Sequence, residues 1–345
     1  VTVSAVLQTS FLGDMVLTTP LLERLAASGP VHVVATPASA PLLAHHPAVR
    51  SVLVFDKRGA DRGLGGLRRV AARLRALGAA RAYLAQGSAR TAALAWMAGI
   101  PERVGFETSG GRLFTTRRVP YARDQHHAVR LWQLANAPGD AALPAHPLRP
   151  SLYPGPEEHA AVDRLLEAAG VLPHTPLIAL APGSVWATKR WPSFDALAAR
   201  LSTERGPAPA RLVVLGAASD AALARAIADA VTSRGGAPVI DATGRLTLLG
   251  SAALIGRSRV LVTNDSAPLH LASAMNTPTV ALFGPTVPAL GFGPLAEQRV
   301  VLELAGLACR PCHAHGPMTC PLGHWHCMRA LDATQVAAEV QQRVG

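Results

Sequence analysis

Aromatic residues are scarce: phenylalanine, tryptophan and tyrosine together make up 4% of 345 residues. This counts against stacking on single-stranded nucleic acid, which needs exposed rings for successive bases. Cysteine is almost absent: all four lie between Cys309 and Cys327, which excludes a disulfide framework spread over a secreted fold. Charged residues reach only 16% and mean hydropathy is +0.24, yet Arg, Asp, His, Pro or Gly interrupts every apolar run before the ~20 residues of a membrane-spanning helix. The N-terminus has no basic segment followed by an apolar one, so no signal peptide is expected and the chain reads as soluble and cytoplasmic. Acidic residues are the minority sign: 33 Lys and Arg against 22 Asp and Glu leave a net charge of +11. Such an excess favours an anionic partner: nucleic acid, a phosphorylated substrate or an acidic membrane surface.

What is abundant is apolar sequence, at 49%, enough for sizeable cores and, at this length, for two domains. Short apolar runs alternate with helical patterns along the chain. Strands are expected near Val3–Gln8, Val31–Thr36, Ser51–Phe55 and Arg81–Gln86, with a shorter pattern at Thr116–Tyr121. Helices are expected near Val16–Ala27, Leu64–Leu77, Thr91–Ala98 and Ala128–Leu134. Six prolines between Asn136 and Pro156 mark a linker. The second half repeats the alternation, with strands near Leu177–Ala181, Leu212–Gly216, Val239–Asp241, Val260–Thr263 and Thr279–Phe283. Its helices are expected near Glu157–Ala169, Phe194–Glu204, Ala221–Thr232, Leu248–Ile255 and Leu269–Ala274. Strands without polar alternation fit parallel sheets covered on both faces. The expectation is an α/β protein of two Rossmann-like parallel-sheet domains, 1–150 and 151–330, facing a central cleft, with a C-terminal helix in 331–345.

Three strand-end loops carry chemistry. Leu12-Gly13-Asp14 follows the first strand and opens a helix. Asp14 fits either a helix cap or a carboxylate base. Ala181-Pro182-Gly183-Ser184, then Thr188-Lys189-Arg190-Trp191-Pro192, offers hydroxyls, main-chain donors and cations suited to a pyrophosphate, or a solvated basic turn. Thr263-Asn264-Asp265-Ser266-Ala267-Pro268-Leu269-His270 places Ser266 and Ala267 at a helix start that attracts phosphate, with capping as the alternative. Asp220 suits a ribose hydroxyl or a helix cap, and Leu246 follows a glycine turn that could face a base. Lys57, Arg58, Arg62, Arg68, Arg69, Arg73 and Arg75 form a basic stretch, and Arg112, Arg117 and Arg118 another. The spacing Cys309-x2-Cys312-x7-Cys320-x6-Cys327 fits structural zinc, free thiols or a local disulfide.

These segments resemble glycosyltransferase family 9, the lipopolysaccharide heptosyltransferases. The resemblance rests on the Gly-Asp-x5-Pro opening, the Ala-Pro-Gly-Ser…Lys-Arg-Trp-Pro segment and the Asn-Asp-Ser-Ala-Pro-Leu-His segment. The cysteine-bearing tail is most similar to the heptosyltransferase II branch. The resemblance implies a GT-B fold and inverting transfer of L-glycero-D-manno-heptose from ADP-heptose to the inner core of lipopolysaccharide. It implies Asp14 as base, with Gly13 beside it on the acceptor-binding side, and Lys189 at the donor's phosphates and sugar. Ser184, Thr188, Ser266 and Ala267 would bind phosphate, Asp265 the donor sugar, Asp220 the ribose and Leu246 the adenine. In such folds the last helix often crosses back onto the first domain. The acceptor would be an anionic core and lipid A, met by Arg58 and Arg62, with peripheral contact to an anionic inner membrane in a Gram-negative bacterium. No cofactor and no catalytic metal are expected beyond the ADP-heptose donor, the cysteines being the one candidate metal site. The alternatives are another sugar nucleotide, a protein acceptor, or a non-catalytic nucleotide or glycolipid binder. A nucleic-acid partner rests on charge alone, without a recognition motif, and is not expected.

Overall fold

The computed structural model describes residues 2–203 and 210–344. The chain divides into two compact units, Val1–Tyr153 and Pro154–Gly345, at the C-terminal end of the proline-rich stretch.

The first unit contains β1 (Ser4–Gln8), α1 (Leu12–Ala26), β2 (Val31–Ala35), β3 (Ser51–Val54), α2 (Gly63–Arg75), β4 (Arg81–Leu84), α3 (Ala89–Met97), β5 (Glu102–Phe106), β6 (Arg117–Val119) and α4 (His127–Gln133). Its six strands are all parallel, in the order β3-β2-β1-β4-β5-β6. Ala5, Val6, Leu7, Val33 and Val34 are fully buried, so both faces of the central strands are covered, as their unbroken apolar sequence requires. α1 carries Pro20 in its interior, which removes the N–H that would bond the Val16 carbonyl. The Thr19 hydroxyl fills that place, donating to Val16 O at 2.9 Å.

The second unit contains α5 (Pro156–Ala168), β7 (Leu177–Ala181), α6 (Phe194–Thr203), β8 (Arg211–Val214), α7 (Ala221–Thr232), β9 (Ile240–Asp241), α8 (Leu248–Arg257), β10 (Val260–Asn264), α9 (Ala267–Met275), β11 (Thr279–Phe283), β12 (Arg299–Glu303), α10 (His326–Arg329) and α11 (Ala333–Val344). The sheet order β12-β11-β10-β7-β8-β9 is the same winding as in the first unit, again all parallel. Each sheet reverses direction beside its first strand, at β1/β4 and at β7/β10. Loops at the carboxyl ends of those strands splay apart there and leave room for a ligand.

Two strands lack a sequence signal. β5 begins Glu-Arg and includes Gly105, and β12 is bounded by Arg299 and Glu303. Both are recognisable only by the neighbours they pair with. The helix expected over Phe194–Glu204 runs Phe194–Thr203, and Glu204 lies outside the described residues. α11 packs against α6, β10 and β11 of its own unit. Val336, Ala337 and Val340 are buried there among Leu197, Val262 and Leu282. Each buried valine contributes roughly 1.5–3 kcal/mol to that attachment. Among the described residues no helix is long and apolar enough to cross a membrane.

Candidate active site

In the second unit the loops after β7 and β10 meet at the switch point. Lys189 ends a single 3-10 turn, Ala187–Lys189, and its Nζ donates to Asp265 Oδ2 at 2.6 Å. Lys189 is 8% and Asp265 7% exposed, so the pair is nearly dry. Thr286, beyond the end of β11, donates its hydroxyl to the same oxygen at 2.6 Å. Asn264 ties the two loops together: its Nδ2 donates to Pro182 O at 2.8 Å and its Oδ1 accepts from Trp191 N at 3.1 Å. The sequence marked Lys189 and Asp265, but neither Thr286 nor a role for Asn264, because their partners lie far along the chain. The result is a fixed ammonium–carboxylate pair beside the start of α9, where the helix dipole adds positive potential.

The other donor candidates are placed variously. Ser266 is the N-cap of α9, but its hydroxyl turns to Asn264 O and Thr263 Oγ1, both at 3.4 Å, and Ala267 opens the helix. Ser184 is half-buried; its Oγ accepts from Trp186 N at 3.3 Å, and its carbonyl accepts from Arg190 at 2.8 Å. Thr188 is 3% exposed and donates its hydroxyl to Pro317 O. Asp220 takes the capping role, its Oδ2 accepting from Ala217 N at 2.9 Å. Its carboxylate lies against Gly183 and Gly216, where a Cβ would come within 2.4 and 2.7 Å of Oδ2. Those glycines therefore let the loops after β7 and β8 close together. Leu246 is half-buried ahead of Thr247, the N-cap of α8.

In the first unit Asp14 is the third residue of α1. Its Oδ2 accepts from Phe11 N at 3.3 Å, so it caps the helix. Its Oδ1 lies 3.8 Å from Nε2 of His127, the first residue of α4. The cap does not consume the carboxylate: its side chain retains 15% exposure. Gly13 precedes it, half-buried, in the first turn. The loops after β1, β2, β3 and β4 enclose a depression of about 500 Å³ whose walls include Thr9, Phe11, Thr36, Lys57, Arg58 and Gln86. Lys57 Nζ donates to Thr9 O at 2.6 Å. Burial, then Arg58 and Arg90, hold the Lys57 ammonium below the usual lysine range. Arg58 is exposed in that wall, whereas Arg62 is exposed at the start of α2 and outside it.

All four cysteines are free thiols, and among the described residues no group of three or more Cys, His, Asp or Glu is placed to hold a metal ion. Cys327 is buried in the core beside Met328, and Cys312 donates to Cys309 O at 3.0 Å. Burial pushes the Cys312 and Cys327 thiols up, reinforced by the neighbouring cysteines. At Cys320 the opposing effect of burial is outweighed by the N–H groups of Trp325, Leu322, His324 and Gly323, which pull the thiol down.

Residues 67–326 match the family model of glycosyltransferase family 9 (heptosyltransferase). The chain belongs to glycosyltransferase family 9. It is therefore a glycosyltransferase. Among curated relatives, lipopolysaccharide heptosyltransferase 2 of Escherichia coli K12 is 27% identical over 307 residues, 86% of each chain. Lipopolysaccharide heptosyltransferase 1 of Pseudomonas aeruginosa is 31% identical over 324 residues, 88% of this chain and 84% of the relative. The structure of Escherichia coli ADP-heptose LPS heptosyltransferase II aligns with a TM-score of 0.81 at 24% identity, covering 100% of this chain and 98% of that one. The family 9 glycosyltransferase of Veillonella parvula DSM 2008 aligns with a TM-score of 0.84 at 23% identity, covering 99% and 97%. The paired Rossmann-like units are thus those of a GT-B fold.

Proposed function

We propose that this family 9 enzyme transfers a heptose from ADP-heptose to the inner core of lipopolysaccharide, with inversion, as heptosyltransferase II does. The observation that carries the reading is the buried Lys189–Asp265–Thr286 cluster at the switch point of the second unit. It offers a fixed ammonium, beside a helix start, to the diphosphate of a leaving nucleotide.

In the proposed step, the Asp14 carboxylate takes the proton of the acceptor hydroxyl. The hydroxyl oxygen forms its bond to the anomeric carbon as the bond from that carbon to the diphosphate oxygen breaks. A single displacement inverts the centre, and ADP leaves with the bonding electron pair. Lys189 and the N–H groups at the start of α9 stabilise the charge that develops on ADP without reorganising. Ser184, Ser266 and Ala267 lie at the same loops and are assigned to the phosphates. Asp265 is assigned to the sugar, and Asp220 and Leu246 to the nucleoside side. Gly13, Arg58 and Arg62 are assigned to the anionic acceptor. The exposed arginines of 58–73 would hold the enzyme at an anionic membrane surface on the cytoplasmic side.

The 31% identity to a heptosyltransferase 1 favours a second reading, in which the acceptor is a core that carries no heptose yet. One experiment separates them. Transfer from ADP-heptose is measured to core acceptors with and without a first heptose, for wild type and Asp14→Asn, in EDTA. The expected result is turnover on the heptose-bearing acceptor, collapse by at least ~100-fold in Asp14→Asn, and unchanged ADP affinity. Turnover on the bare core alone selects the second reading. Binding of ADP-heptose without turnover on either acceptor refutes both.

A further inference from the structure

The cysteine-bearing segment between β12 and α10 is firmly attached to the loop after β11. Arg310 donates to the carbonyls of Gly284, Phe283 and Thr286 at the end of β11, and Cys312 N donates to Pro285 O at 2.9 Å. This anchorage delivers the turn His315-Gly316-Pro317 directly onto Lys189. Gly316 is buried with φ +85°, and a Cβ there would lie 3.0 Å from Lys189 Cε and 3.2 Å from Cγ. The backbone of the turn therefore packs on the lysine stem. Pro317 O accepts the Thr188 hydroxyl, and the His315 ring stacks on Trp186 with centroids 6.4 Å apart and planes 13° apart. Three consecutive residues of one segment thus meet three of the four residues 186–189.

We propose that the turn His315-Gly316-Pro317 is a positioning element for Lys189, and that Thr188 acts by anchoring this turn rather than by binding phosphate. This deepens the proposed function, since it rests on Lys189 meeting the donor diphosphate. The argument from Thr188 is one of hydrogen-bond capacity. A threonine hydroxyl has one proton to donate, and here Pro317 O receives it. An ionised diphosphate has only acceptors, so the hydroxyl cannot serve both. Asp265 and Thr286 fix the far end of the lysine, and Gly316 confines its stem. Between them the ammonium is held in one place before a ligand arrives, which lowers the ordering cost of binding.

The test uses the full-length enzyme and two readouts: ADP affinity by calorimetry, and the rate at which an amine-acylating reagent modifies Lys189, read by mass spectrometry. Thr188→Val removes the anchor and Thr188→Ser keeps it. Gly316→Ala and Gly316→Asn both add the Cβ, but asparagine tolerates a positive φ better. The expected result is that Thr188→Val and both Gly316 variants acylate Lys189 several-fold faster and bind ADP about tenfold more weakly, while Thr188→Ser matches wild type. Weaker ADP binding by Thr188→Val with Lys189 labelling unchanged would mean that Thr188 meets the ligand itself, and would overturn the proposal. A loss confined to Gly316→Ala would report backbone strain and would also overturn it, as would wild-type behaviour of all variants. If wild type binds no ADP, the donor reading fails, and the labelling rates still decide whether the turn positions Lys189.

Discussion

Lys189 and Asp265 are each worth more to the fold together than apart. Both are nearly shut off from water, so the loss of one partner strands the other charge, at a cost of about 3–5 kcal/mol. We predict that Lys189→Met and Asp265→Leu each lower the unfolding midpoint in denaturant, and that the double variant recovers most of the loss. ADP binding should stay weak in all three. Recovery of ADP binding with stability in the double variant would show that the pair is structural only. His46 belongs to the same class of argument. It is buried, its Nδ1 accepts from Ala48 N, and Tyr153 packs edge-on at 5.0 Å. Burial pushes its pKa down from 6.5 to about 4. The unfolded chain therefore binds the proton first, and stability present above pH 6.5 is lost as the pH falls toward 4. Glu23, 3.9 Å away, opposes this by favouring the imidazolium, so the loss should be of order 1–3 kcal/mol. Stability measured between pH 7 and 4.5 should fall in wild type and fall less in His46→Gln; parallel curves would remove His46 as the cause. At this scale Asp14, Lys189 and Asp265 were legible because charged side chains at strand ends stand out from an apolar alternation. Thr286, His127 and Pro317 were not, because each gains its role only from a partner about 20 to 130 positions away.

Among the elements, the stretch between β12 and α10 behaves as one piece because of Arg310. Its guanidinium donates to four carbonyls, those of Phe283, Gly284, Thr286 and Leu304, and to Glu303 Oε2 at 2.8 Å. Only the planar fork of arginine reaches so many acceptors at once. Arg310→Ala should destabilise by about 2–4 kcal/mol, through carbonyls left without donors, and Arg310→Lys should restore little of it. Full rescue by lysine in a denaturant titration would reduce the role to charge alone. The same segment shows where sequence reading stops. Its cysteines have permissible metal spacing, but spacing does not specify where thiols point. Cys327 is drawn into the core on α10 by the apolar contacts of Met328 and Leu331. Strands β1, β7, β10 and β11 were plain as apolar runs between helices, whereas β5 and β12 mix charge with apolar residues and needed their pairing partners to be seen. α11 follows local chemistry too: Val336, Ala337 and Val340 form one apolar stripe that joins the core of the second unit.

For the whole molecule, the cations assigned to the donor and to the acceptor differ in depth. Lys189 is buried in the second unit, while Arg58, Arg62, Arg68, Arg69 and Arg73 stand in water on the first. Salt acts on these two populations differently. Between about 0.01 M and about 1 M ionic strength the screening length shrinks from roughly 30 Å to roughly 3 Å, which weakens exposed charges and hardly touches a dry pair. An anionic acceptor recognised by the exposed arginines should therefore show a KM that climbs steeply with salt, while the donor KM changes little. Charge reversal at Arg58 and Arg62 together should raise the acceptor KM at low salt and flatten its salt dependence, leaving kcat and the donor KM near wild type. If donor and acceptor KM rose in parallel with salt, or the reversed variant kept the wild-type salt slope, the surface arginines would have no part in the acceptor. The positive charge would then be a compositional property of an arginine-rich chain.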